Sequence, residues 1–165
     1  MPDSTTNGVK VLAQPTTTEK IVAGKDVFLY INYGENATEA SPVWTLIGGQ
    51  RSTGADMSVD EIDTSHKTSG GYKTYMAGLF GWKWSADGVY ILDDDGLAAV
   101  KEAFYGRKTA EFRLVYKNSA GTIVEAQHGW GIVTGFNPNA DHTDVATLSI
   151  EISGTGALTN ETNPT

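Results

Sequence analysis

The chain has 165 residues, 39% of them hydrophobic, no cysteine and a formal net charge of -8. That length suits one domain able to bury a core unaided, and the missing cysteine excludes disulfide staples, a thiolate nucleophile and cysteine-bound zinc. The acidic surplus argues against tight nucleic-acid binding, which needs cations to displace phosphate counterions, but not against a surface along which DNA slides.

The N-terminus, MPDSTTNGVKVLAQPTTTEK, has neither a basic start nor an apolar run, so no secretory signal is expected. No segment approaches the about 18 consecutive apolar residues of a membrane span, and no membrane partner is expected. Residues 1–22 read as a flexible arm, broken by Gly8, Pro15 and the run Thr16-Thr17-Thr18. A single domain follows over 23–156, then a flexible polar tail over 157–165.

KDVFLYIN reads as a strand with Val27, Leu29 and Ile31 on one face and Phe28 and Tyr30 on the other. Two apolar faces imply burial on both sides, or one side packed against a partner. VWTLIGG, a short strand closed by glycines, is its expected antiparallel partner. ADMSVDEID puts Met57 and Val59 on one face and Ser58 and Asp60 on the other. Glu61 then follows in the Met57 phase with apolar Ile62 opposite, a slip that suggests a bulge or a strand leaving the sheet. Residues 64–78 lack any period and read as a long loop. LFGWKWSADGVYI resumes a half-buried strand, with Trp82, Trp84 and Ala86 inward and Lys83, Ser85 and Asp87 outward.

LDDDGLAAVKEAFYG is the one helix candidate, spanning about residues 95–105. Asp93 to Asp95 supply the N-cap and negative charge, Leu97, Val100, Lys101 and Phe104 share a face, and Gly106 suits a C-cap. TAEFRLVYKN alternates, with Ala110, Phe112, Leu114 and Tyr116 on one side and Glu111, Arg113 and Lys117 on the other. It pairs as a hairpin with TIVEAQHGWGIVTGF, whose apparent apolar phase is Val124, Ala126, His128, Trp130 and Ile132. DVATLSIEISG closes the domain with Ala146, Leu148, Ile150 and Ile152 on one face. The expected fold is mainly β, an antiparallel sandwich or barrel-like domain with one short flanking α-helix.

No chemistry emerges from these residues. His66, His128 and His142 have no ligand spacing, and His128 in an apolar phase reads as a packed, hydrogen-bonded side chain. Asp56, Asp60, Glu61 and Asp63 form a charged strand with no cleft between paired carboxylates, as glycoside hydrolysis would need. Asp93 to Asp95 lack a calcium loop, and no phosphate loop or nucleophile elbow occurs. No catalytic, cofactor-binding or metal site is expected. Exposed tryptophans would mark a carbohydrate-binding β-sandwich, but the apolar phases of Trp44, Trp82, Trp84 and Trp130 favour core roles. From Asn118 to Thr165 there is no lysine or arginine against five acids, Glu125, Asp141, Asp144, Glu151 and Glu161, so one surface is kept negative.

The order AGKDVFLYIN, PVWTLIGGQRSTG, SVDEIDTSHKTSGGYKTY, GLFGWKWSADGVY, DDDGLAAVKEAF and SIEISGTGAL resembles the major tail proteins of long-tailed bacteriophages, the tail tube subunits of the lactococcal-phage type. The resemblance covers about residues 21–158, and GGQR followed by DEIDTS is its most specific part. It implies a structural subunit whose hexameric rings stack into a tube and whose strands form one continuous inner barrel. Genome DNA would pass through the lumen without specific binding, beside a tape measure protein. Tail terminator and distal tail proteins would be further partners, in the virion tail and, during assembly, in the host cytoplasm. By this resemblance the inter-ring loop is Thr64, Ser65, His66, Lys67, Thr68, Ser69, Gly70, Gly71, Tyr72 and Lys73, ordered by a neighbouring subunit. Asp56, Asp60, Glu61, Glu111 and Glu151 are the candidate lumen-facing acids. A tube protein of a gene transfer agent, a prophage-derived particle or a secretion tube is the alternative.

Overall fold

The computed structural model describes residues 22–165, so the expected arm at 1–22 lies almost wholly outside the described residues. The elements run β1 (Val27–Asn32), β2 (Trp44–Leu46), β3 (Gln50–Asp63), β4 (Tyr75–Val89), α1 (Asp95–Tyr105), β5 (Thr109–Lys117), β6 (Ile123–Asn139) and β7 (Thr147–Asn160). All seven strands belong to one antiparallel sheet, ordered β2-β1-β5-β6-β7-β4-β3. The fold is mainly β with one flanking helix, as expected, but its layers come from a single continuous sheet. Leu29, Ile31, Phe112 and Leu114 from β1 and β5 join Trp84, Ile150 and Ile152 from β4 and β7 in one core, with Leu97 and Val100 of α1.

Gln50 holds the two ends of this sheet together. Its amide accepts from the Leu29 N–H (2.9 Å) and donates to the Leu29 carbonyl (2.8 Å), so one side chain bonds β1 as a neighbouring strand would. The GGQ motif gains a physical reason here. Gly49 sits at φ +76°, where a side chain strains the backbone, and a Cβ on Gly48 would strike the Asp94 carboxylate. Asp94 is the N-cap of α1, accepting from Leu97 N–H at 2.9 Å, and it also accepts from Gly48 N–H at 3.0 Å. One carboxylate thus fixes both the helix start and the turn into β3.

The helix matches its expected span. Its C-terminus differs: Gly106 is right-handed, Arg107 takes the left-handed position (φ 52°), and Lys108 N–H closes onto the Ala103 carbonyl.

Three other readings are corrected. The loop is shorter than 64–78, because Tyr75 to Gly78 already belong to β4. The slip near Glu61 is real, but the extra residue is on the partner: Val59 pairs with Phe80 and Glu61 with Ala77, so β4 advances three residues while β3 advances two. The apolar phase of β6 fails after Ala126. With register shifts between Gly129 and Gly131 and between Val133 and Gly135, Val133 and Phe136 face inward while Trp130 and Ile132 are exposed, so Trp130 has no core role.

β5 is buried on both faces, which alternation alone did not reveal. Arg113 is buried against Glu161, donating from Nε at 2.8 Å and Nη2 at 2.6 Å, with the Trp44 ring 5.5 Å away. His128 meets the same carboxylate at 3.0 Å, the hydrogen-bonded packing expected of it. β7 therefore continues to Asn160, past the expected domain end at 156, and Glu161 is pinned in place of a loose tail start.

Candidate assembly surfaces

The β6-β7-β4-β3 part of the sheet has two unlike faces. Cross-strand partners share a face, so the register gives its rows directly. One row is Ser52, Asp87, Ser149 and Asn137; the next is Gly54, Ser85, Glu151 and Gly135; the third is Asp56, Lys83, Ser153 and Ile132. The alternate residues, Ala86, Ile150 and Phe136, then Trp84, Ile152 and Val133, face the core. The outer rows are therefore a polar face of mostly short side chains, with three acids against one lysine. Asp60 extends the same phase further along β3.

The candidate acids divide accordingly. Asp56, Asp60 and Glu151 lie on this polar face and are exposed. Glu61 is exposed on the opposite face of β3, in phase with Met57 and Val59. Glu111 is withdrawn from the set: it is 4% exposed and accepts from Asn32 Nδ2 at 2.9 Å, so its carboxylate faces no open wall. Asp87 was missed. Its signal was its place with Lys83 and Ser85 in the polar phase of WKWSADG.

The same four strands end in two open edges. Among the described residues β3 pairs only with β4, and β6 beyond Ile132 only with β7, since β5 stops at the Thr109–Ile132 pair. Pro138, which brings no N–H to a ladder, is tolerated on such an edge.

β4 meets β7 only from Lys83 to Val89, so β3 and β4 continue past Trp82 as a two-stranded ribbon. Met57, Val59 and Phe80 are exposed there on the continuation of the core face. The tip, Thr64 to Lys73, buries no apolar side chain yet has its own hydrogen bonds. Thr64 N–H donates to the Thr74 carbonyl (2.9 Å), His66 N–H to Ser69 Oγ (3.0 Å) and Thr74 N–H to Ser65 Oγ (2.9 Å). The side chains of Thr68 and His66 meet at 2.7 Å, and Gly70 and Gly71 make the left-handed turn. Lys67, Tyr72 and Lys73 point into solvent.

At the opposite end of the ribbon lie the segment Tyr90 to Asp95 and the β6–β7 turn, linked by Tyr90 N–H to the Ala146 carbonyl (2.9 Å). Ile91, Leu92 and Val145 are exposed there beside Asp93, Asp95 and Asp144. Among the described residues no group of three or more His, Asp or Glu could hold a metal ion, and no helix is long and apolar enough to cross a membrane.

No curated protein sequence matches the chain. It is similar in fold to a chain of the native gene transfer agent virion, at 19% identity and TM-score 0.69, over 86% of this chain and all of that one. A chain from the tail of an empty gene transfer agent particle, refined with C6 symmetry, gives 21% identity and TM-score 0.70 over 86% of this chain and all of that one. The SPP1 tail tube subunit gives 18% and 0.68, over 85% of this chain and 78% of that one. The model of the phage tail tube protein family matches residues 21–160, the whole folded domain, and the chain belongs to the phage tail tube protein family.

Proposed function

We propose that copies of this chain join edge to edge into rings, that the rings stack into a tail tube, and that the polar face of β6-β7-β4-β3 lines its conduit. One observation carries this reading: a four-stranded section with a polar outer face and, among the described residues, an open edge on each side. Neighbouring strands alternate in direction, so four strands per copy bring β3 of one copy antiparallel to β6 of the next. Ring closure then removes both edges, which would otherwise template aggregation. Six copies, the symmetry of the similar gene transfer agent tail, would close roughly 24 strands at about 4.8 Å spacing. That barrel is on the order of 37 Å across at the backbone before strand tilt widens it. Short wall side chains keep the bore open. Asp56, Asp87 and Glu151 against Lys83 keep it from holding phosphates, so double-stranded DNA passes without specific binding.

The role is structural and not enzymatic. The tape measure protein would occupy the bore before DNA, terminator and distal tail proteins would meet the tube ends, and the assembled protein would reside in the virion tail after assembly in the host cytoplasm. The tip Thr64 to Lys73 would reach the adjacent ring. Similarity to gene transfer agent tails supports a second setting, a gene transfer agent tube, with the same geometry. Electron microscopy of the concentrated protein tests the reading. Hollow tubes or stacked rings are expected; a protein that stays monomeric at every concentration and salt tried, also with a tail initiator complex, would overturn it.

A further inference from the structure

The ribbon is polar along its length in more than one sense. Its tip carries Lys67 and Lys73 with no acid, in a chain of net charge -8, and the 80%-exposed ring of Tyr72. Its other end carries a concavity of about 440 Å³ whose lining joins the apolar Ile91 and Leu92 to the charged Asp93, Asp94, Asp95 and Lys101. Leu92 is 75% exposed and Ile91, beside it in the same lining, 43%, apolar area that a partner would cover. Asp93 and Asp95 rim it, and Asp144 lies on the adjoining turn. Because tip and concavity sit at opposite ends of the same two strands, translating one copy along the strands brings the tip of one towards the concavity of the next. Such a contact is heterologous and propagates without limit, as a stacked tube requires.

We infer that the acid-rich concavity around Leu92 is the acceptor for the β3–β4 tip of a second copy in the adjacent ring. Tyr72 seats on Leu92 and Ile91, and Lys67 and Lys73 face Asp95 and Asp144. The aromatic supplies the anchor, and the charges set polarity and register by rejecting tip-to-tip and base-to-base contacts. This rests on the stacked-ring reading, and it adds which surface receives the tip.

Charge exchange tests it. K67E/K73E reverses the tip. D95K/D144K reverses the base and spares both the capping Asp94 and the left-handed backbone of Asp93. Circular dichroism and thermal unfolding establish that each variant is folded, and sedimentation with electron microscopy reads assembly. Each double variant is expected to stop at rings or short stacks, with at least a tenfold loss of pelletable tube. The quadruple variant, and an equal mixture of the two doubles, should regain long tubes. Either folded double variant elongating like the native chain would overturn the inference, as would a folded, ring-forming quadruple variant that does not elongate. If the native chain forms no tubes or rings, the stacked-ring reading itself has failed; if native tubes form and the exchange has no effect, only the acceptor assignment falls.

Discussion

Replacing Gln50 by leucine should open the sheet where β1 meets β3. Leu29 is fully buried, and its N–H has the Gln50 carboxamide as partner at 2.9 Å. Leucine keeps the bulk and removes the polar end. The Leu29 carbonyl retains Ile47 N–H at 3.2 Å, so the orphan is the buried N–H. An unsatisfied buried donor costs about 1–3 kcal/mol, and the two lost carbonyl bonds add roughly 1 kcal/mol more. The expected loss is about 2–4 kcal/mol, or on the order of 10 °C in Tm for a domain of this size. Tryptophan fluorescence during thermal unfolding reads it, and hydrogen exchange at the Leu29 amide locates it. Gln50→Glu is a second probe. It keeps an acceptor for Leu29 N–H but turns a carboxylate toward two carbonyls, so it should recover stability as acid protonates it. A Gln50→Leu protein melting within about 1 °C of the native one, with unchanged Leu29 protection, would refute the closure role.

Asp94→Ala removes the cap of α1 and the partner of Gly48 N–H, and should cost about 1–2 kcal/mol, measured by denaturant unfolding. Burial acts to raise the Glu161 carboxyl, but the hydrogen bonds and charges of Arg113 and His128 outweigh it and hold its pKa below the ordinary value. A lowered carboxylate stabilises the fold above its unfolded pKa and loses that contribution as pH falls through the folded one. Glu161→Gln should therefore melt below the native protein at neutral pH, with the gap in Tm closing as pH drops below 4.5. Asp56→Lys with Glu151→Lys should make assembled tubes retain short duplex DNA at about 50 mM salt and release it by about 200 mM, whereas native tubes retain none.

The sequence was most legible where local rules and burial agree. α1 could be read from Asp94, Leu97 and Val100 because cap and apolar stripe lie within a few residues of each other. Trp82 and Trp84 marked the inner face of β4 because alternation there is unbroken. β6 misled because its register shifts twice, between Gly129 and Gly131 and between Val133 and Gly135, and no local pattern announces either shift. The second buried face of β5 depends on Glu161, 48 residues beyond Arg113, a pairing no local pattern encodes. The candidate acids divide between faces for the same reason. Asp56 and Glu151 share a face through β4, whereas Glu111 alternates correctly with its neighbours and yet is covered by Asn32. GGQR stood out as a motif, but only the Gln50 bonds to Leu29 show what it does.

A reconstruction of assembled tubes at side-chain detail tests the conduit wall most directly. Asp56, Asp87, Glu151 and Lys83 should point to the axis, with β3 of each copy antiparallel to the Val133–Asn137 stretch of β6 in its neighbour. A bore lined instead by α1, or by Trp130 and the β5 side of the sheet, with the β3 edge left unpaired, would contradict it.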